Sequence, residues 1–159
     1  SNPDTVLIAS SPIPLKQDIS VTGLFAVLDY NSLNPVQQTQ EQTFTLLSTY
    51  SNTGIFVGPN LTITVPGYYL INWNPTQSIE LYPEVPSAII YRIRSGATIY
   101  AEFYEQPMGN DEQTTNYSHV LLLPVGVYNF TIQLPAFSII GYSAFLTDIS
   151  NIGIKYLGN

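Results

Sequence analysis

The stretch VPGYYLINWN, residues 65–74, is the segment from which the fold is predicted. A Pro-Gly pair marks a turn, and Tyr69, Ile71 and Trp73 then fall on one face of an alternating run. Alternation at a period of two is typical of a half-buried β-strand. Gly67 is expected to let the chain bend sharply into this strand without a Cβ clash. We therefore predict a turn followed by a core strand, in which each buried aromatic contributes on the order of 2–3 kcal/mol.

The stretch PVGVYNFTIQL, residues 124–134, repeats this pattern. Gly126 again precedes a tyrosine by two residues, and Tyr128, Phe130 and Ile132 share one face. The same reasoning predicts a turn at Gly126 and a second aromatic-rich strand in the middle of the core.

The rest of the chain shows similar alternation and almost no helical periodicity. The best helical candidate, VQQTQEQT at residues 36–43, lacks an apolar stripe and is predicted to be a polar loop with room for one helical turn. We count about nine or ten strands at the spacing of a sandwich or barrel. Residues 19–159 are predicted to form one all-β domain, and residues 1–18 an N-terminal extension or stalk junction.

One hairpin can be predicted in detail, in the stretch AIIYRIRSGATIYAEFYE, residues 88–105. A loop of three residues ending at Gly96 would give that glycine the left-handed position beside a bulge. This register places Ile93 opposite Ala97 on the apolar face and Arg92 on the polar face. We predict it because it separates apolar from charged side chains.

Composition excludes several classes of function. Only 9% of the residues are charged, against about a quarter in an average soluble domain, and the net charge is -7 with four basic residues. Nucleic-acid binding requires clustered Lys and Arg, so it is excluded as a partner class. No apolar run is long enough to span a membrane, and no membrane insertion is expected. A surface solvated mainly by hydroxyls and amides favours an extracellular, spore-surface or virion-surface protein.

Four stretches together resemble the tumour necrosis factor and complement component 1q superfamily of globular heads, including bacterial collagen-stalk heads. They are LTITVPGYYLINWN, IIYRIRSGATIYAEFYE, SHVLLLPVGVYNFTIQL and NIGIKYLGN. Their order and spacing cover roughly residues 19–157, although Val127 stands where the family usually has an acidic residue. The resemblance implies an all-β jelly-roll sandwich of about ten strands that forms a tight homotrimer.

Several side chains are candidates for partner contacts. The set combines polar faces of the predicted strands with the single histidine: Tyr68, Asn72, Arg92, Tyr100 and His119. His119 is expected at a sheet rim or subunit seam, where it could also act as a pH switch, and one histidine cannot build a multi-histidine metal site.

Asp111 and Glu112 lie in the acidic stretch GNDEQTTN between two predicted strands. With nearby amides and carbonyls they could supply part of the six to eight oxygens that calcium needs, and related heads sometimes bind calcium. The alternative is a solvated acidic loop. No other cofactor is expected.

The expected function is that of a non-enzymatic, trimeric, surface-exposed head for structural capping, adhesion or recognition of a glycan or protein receptor. A viral or phage attachment or capsid protein is the alternative, and a carbohydrate-active jelly roll is a third. The sequence contains no P-loop, no GxSxG, no HExxH and no catalytic cysteine.

Overall fold

The computed structural model describes residues 17–78, 88–106, 112–134 and 149–159. Within these ranges the regular structure is almost entirely β-strand. The strands are β1 (Ser20–Val27), β2 (Gln42–Asn52), β3 (Phe56–Val57), β4 (Asn60–Ile63), β5 (Gly67–Asn74), β6 (Thr76–Ser78), β7 (Ile89–Ser95), β8 (Thr98–Glu105), β9 (Glu112–Thr114), β10 (Tyr117–Leu123), β11 (Gly126–Gln133) and β12 (Ser150–Gly158). A 3-10 turn at Tyr30–Ser32 and the single-turn helix α1 (Pro35–Gln38) join β1 to β2.

Ten of these strands form an antiparallel jelly-roll sandwich. The first sheet has the order β10-β5-β12-β1-β2, and the second has the order β3-β4-β11-β7-β8. The strand β2 links them, because Phe44–Asn52 pairs with β1 whereas Gln42 and Thr43 pair with β11. The remaining two strands, β6 and β9, form a separate ribbon. The all-β fold class and the ten-strand jelly roll are therefore confirmed.

Trp73 occupies the centre of the core between the two sheets. It is fully buried and contacts five aromatic rings at centroid distances of 5.1–5.9 Å, four of them edge-on. These rings come from both sheets: Phe25, Phe44, Tyr91, Phe103 and Phe130. On the same face of β5, Tyr69 and Ile71 are also buried. The inward face of this one strand therefore organises the aromatic packing of the sandwich.

The two similar stretches of sequence form β5 and β11, which lie in opposite sheets. The third residue of each strand is a tyrosine whose hydroxyl donates to a carbonyl four residues earlier in the chain. Tyr69 donates to Val65 and Tyr128 to Pro124, each at 2.7 Å. This arrangement resembles the tyrosine corner of other β-sandwiches, and it fixes the turn that precedes each strand.

Replacing Tyr128 by phenylalanine is expected to lower the free energy of unfolding by about 1 kcal/mol at neutral pH, since the Pro124 carbonyl loses its donor. Burial, followed by the neighbouring Tyr100 hydroxyl, raises the pKa of Tyr128 well above its ordinary value. This tyrosine therefore ionises at a lower pH in the unfolded chain than in the folded one. Its contribution to the free energy of unfolding is lost as pH rises above about 10. Denaturant titrations at neutral and alkaline pH measure both effects.

The Tyr128→Phe variant should show a shallower alkaline loss of stability than the unmodified chain. Tyr50→Phe is the matched control, because Tyr50 is 78% exposed and should change neither quantity. Identical alkaline curves for the unmodified chain and Tyr128→Phe would contradict the prediction.

The predicted hairpin register is wrong in detail. The loop has two residues, Gly96 and Ala97, and Ile93 pairs with Ala101 rather than with Ala97. A bulge further along the ladder, between Ile93 and Arg94, adds the extra residue that the prediction had placed in the loop. Gly96 has a φ of 57°, as the first position of a type II′ turn requires. The extra residue is Tyr100 of β8, and the bulge aligns Ala101 and Phe103 with the buried Ile93 and Tyr91 although the loop is shorter.

The turn role predicted for Gly126 also needs correction. Gly67 has a φ of 153°, and a Cβ added there would lie 2.7 Å from the Gly158 carbonyl oxygen. Gly126 has no positive φ, and an added Cβ would meet its nearest atom at 3.4 Å, an ordinary contact. Only the first of the two stretches therefore needs glycine for its backbone.

Candidate functional site

An exposed apolar strip lies on the outward face of the first sheet, along its edge. It consists of Tyr68, Leu70, Val120 and Leu122, which pair in register as Leu122 with Tyr68 and Val120 with Leu70. Val120 and Leu122 are 52% and 58% exposed. In the described part of the chain, β10 pairs only with β5, and no described strand pairs with its other edge. Contiguous exposed apolar side chains beside an open strand edge indicate a protein contact.

A recess of about 190 Å³ lies on the same face, where β5, β12 and β1 run side by side. Gly153 contributes no side chain there, and Lys155 stands at the recess with Leu70 and Ser20 as its ladder neighbours. Thr22 and Asn72 add a hydroxyl and an amide. Lys155 forms no ion pair with any described residue. The recess therefore carries a free positive charge surrounded by neutral polar groups.

A closed network of charged side chains lies on the outward face of the second sheet. Arg92 donates from Nε to Glu102 at 2.7 Å and from Nη1 to Gln133 at 2.7 Å. Glu41 lies 3.6 Å from Arg92 and 3.0 Å from Arg94, and it accepts a hydrogen bond from Thr131. The network attaches the segment before β2 to β7 and β11, so its members are engaged within the chain.

Glu102 is the exposed end of this network. A hydrogen bond from the Tyr104 hydroxyl, followed by one from Arg92, lowers the pKa of Glu102. Tyr104 itself is 62% exposed. This part of the second sheet presents an aromatic side chain next to a carboxylate that is ionised at neutral pH.

His119 lies at the outer end of a row of stacked rings. From the core outward the row is Tyr91, Phe103, Tyr117 and His119, with successive centroids 4.9, 4.8 and 4.5 Å apart. The histidine is exposed on the edge strand β10, on the opposite face of that strand from Val120 and Leu122. It touches Tyr117 and belongs to no group of metal-ligating side chains among the described residues.

The structure distributes the other sequence candidates over different surfaces. Tyr68 and Asn72 lie on the outward face of the first sheet, and Asn72 accepts a 2.6 Å hydrogen bond from Ser118. Tyr100 is partly buried, with its ring 5.0 Å from that of Tyr128. Asp111 and the side chain of Glu112 lie outside the described residues. The calcium hypothesis therefore remains a prediction from sequence.

Sequence reasoning overlooked Val120, Leu122 and Lys155. The run VLLL, residues 120–123, did contain a signal, because apolar residues on both faces of a strand predict burial on both sides. The sequence around Lys155 contained no such signal, since a lysine on the polar face of an alternating strand is typical of a solvated surface. Among the described residues no helix is long and apolar enough to cross a membrane.

Comparisons with known proteins identify the architecture through structure alone. No family model matches the chain, and neither does any curated protein. The globular domain of the zebrafish complement 1qA protein superposes with a TM-score of 0.58 at 15% identity, over 90% of this chain and 100% of that one. Murine APRIL, crystallised at pH 8.0, superposes with a TM-score of 0.50 at 10% identity, over 87% and 99%. The fold is that of the complement 1q and tumour necrosis factor heads.

The predicted resemblance is thereby confirmed at the level of the head fold. The superpositions span nearly the whole of each known domain, so the chain contains a complete head fold. At these identities the likeness extends to the fold and not to a ligand.

Proposed function

We propose that this chain is a non-enzymatic recognition head that assembles as a homotrimer and is displayed on an extracellular, spore or virion surface. In that role it caps a structure, adheres, or binds a glycan or protein receptor. The proposal rests on the head fold and on a sequence without a catalytic motif. Its polar but weakly charged surface suits display outside a cell.

The observation that carries the proposal is the apolar strip of Tyr68, Leu70, Val120 and Leu122. The exposed side chains of the strip leave apolar surface in contact with water. Covering that surface with another protein would stabilise the complex by roughly 25 cal/mol for each Å² buried. The strip adjoins the edge of β10 that no described strand pairs with. A second and third copy of the chain are the partners that the head fold favours, because closed rotational symmetry buries the same face on every copy.

Recognition of a receptor would then use surfaces that assembly leaves open. The outward face of the second sheet is the best supported one, because Tyr104 presents most of its ring beside the Glu102 carboxylate. Tyrosine with neighbouring polar groups is a common composition for adaptable binding surfaces. A glycan and protein array probed with the assembled protein tests this part of the proposal.

Replacing Leu122 by aspartate is expected to dissociate the trimer at micromolar concentration, because each copy would bury a carboxylate among the apolar side chains of the strip, two strands away from Lys155. Leu122 is 58% exposed within one copy, so the monomer should still fold. Analytical ultracentrifugation gives the mass, and circular dichroism checks the fold.

Val57→Asp is the matched control, since Val57 is 71% exposed but lies on β3 in the second sheet. This variant should remain a trimer. The proposal fails if the unmodified chain is a stable monomer at micromolar concentration, or if both aspartate variants behave alike.

A further inference from the structure

We propose that the recess at Lys155 binds a small oxyanion, such as phosphate, sulfate or a simple carboxylate, and that this anion controls the assembly of the head. The inference rests on the proposed homotrimer and concerns the face through which it forms. Lys155 is the one cation that the described residues place on that face.

Lys155 lies beside the apolar strip of the proposed interface. It lies on β12, the central strand of the five in the first sheet, and its ladder neighbours are Leu70 and Ser20. Leu70 belongs to the apolar strip. A contact that covers the strip therefore also removes the Lys155 ammonium from bulk water.

An ammonium group buried in this way needs a negative partner, because the desolvation of an unpaired charge costs several kcal/mol. The described residues that line the recess include no carboxylate; they are Ser20, Val21, Thr22, Leu70, Asn72, Gly153, Ile154 and Lys155. In a closed trimer each copy contributes its own Lys155, so the assembly would bury three such cations. The interface is therefore incomplete until an anion is supplied.

The groups around the recess are suited to an oxyanion. Lysine binds phosphate and carboxylate as a point charge, and Ser20 and Thr22 contribute hydroxyl donors. Asn72 accepts from Ser118 through Oδ1, so its amide nitrogen remains a donor. The recess of about 190 Å³ has room for about six water molecules at liquid density, which is enough for one oxyanion and its closest waters.

The test compares dissociation of the unmodified protein in phosphate, sulfate, acetate and chloride at equal ionic strength and neutral pH. Analytical ultracentrifugation over a dilution series measures the protein concentration at half-dissociation. We expect this concentration to be about tenfold lower in at least one oxyanion than in chloride. The three oxyanion arms distinguish a phosphate or sulfate site from a carboxylate site.

The Lys155→Met variant should lose this dependence on the anion. In chloride it should also dissociate at no higher concentration than the unmodified protein, because a buried unpaired cation has been replaced by an apolar side chain. Lys155→Arg keeps the positive charge at the recess and should retain the dependence. Phosphate and sulfate also strengthen apolar association through solvent exclusion, and only the loss of the effect in Lys155→Met separates the two causes.

The other possible outcomes contradict either the anion site or the homotrimer. A trimer with equal midpoints in all four salts overturns the anion site and leaves the homotrimer standing. An oxyanion effect that persists in Lys155→Met shows solvent exclusion alone. A Lys155→Met variant that assembles more weakly in chloride, without any oxyanion effect, indicates an ion pair between copies. A monomer in every salt overturns both proposals.

Discussion

Replacing Trp73 by alanine is expected to lower the free energy of unfolding by about 3–5 kcal/mol, a large part of the total stability of a domain of this size. Trp73 is fully buried and contacts five aromatic rings from both sheets. Its removal leaves a cavity that these rings cannot close, because each is held by its own strand. Edge-on ring pairs add about 0.5–1.5 kcal/mol each beyond the loss of buried area.

Trp73→Phe separates the volume of the side chain from its polarity. The indole Nε1 of Trp73 has no hydrogen-bond partner among the described residues. A buried donor without a partner costs about 1–3 kcal/mol, and phenylalanine removes it together with part of the ring. We expect Trp73→Phe to lose less than half as much stability as Trp73→Ala.

Chemical denaturation followed by circular dichroism measures both variants, since the only tryptophan is itself the site of change. All variants are compared at one protein concentration because self-association contributes to apparent stability. Tyr50→Ala, which removes an exposed aromatic ring, should stay within about 0.5 kcal/mol of the unmodified chain. A loss below 1 kcal/mol for Trp73→Ala would refute the central role of this residue.

The core could be predicted from sequence because a strand has a fixed period. In β5 the alternation of Tyr69, Ile71 and Trp73 with Tyr68 and Asn72 specifies which side chains face inward, whatever the partners of the strand are. The same alternation of inward and outward side chains applies to β11. Fold class, the number of strands in the sandwich and the buried faces of these two strands are accessible in this way.

The hairpin at β7 and β8 shows where such reasoning stops. Its sequence is compatible with a three-residue loop or with a two-residue loop and a distant bulge, and both bury Ile93. The choice depends on the packing of β8 against the rest of the sandwich, which no local pattern contains. Local alternation therefore predicts the face of a residue better than it predicts its partner.

The candidate site was less predictable for a related reason. The apolar strip pairs Leu122 with Tyr68, residues that are distant in sequence and adjacent only through the order of β10 and β5. Likewise, the environment of Lys155 is set by strands from the beginning, the middle and the end of the chain. Strand order determines such surfaces, and nothing in a single sequence specifies strand order directly.

Replacing Gly67 by alanine is expected to destabilise the protein by about 2–4 kcal/mol, whereas the same change at Gly126 should be tolerated. The φ of 153° at Gly67 disfavours any residue with a Cβ. The added atom would also lie 2.7 Å from the Gly158 carbonyl oxygen and 2.8 Å from the Tyr156 ring. Both obstacles belong to β12, the neighbour of β5, so relief would require the two strands to separate.

Gly126→Ala is the matched control, because the two glycines hold the same position in two similar stretches of sequence. The backbone there suits alanine, and an added Cβ would be in ordinary contact with Ser95 and Tyr128. Alanine restricts the unfolded chain, so this variant should be unchanged or more stable by up to about 1 kcal/mol. Thermal and denaturant unfolding compare the pair. Equal losses at the two sites would mean that the shared turn pattern, and not the approach of β12, sets the requirement for glycine.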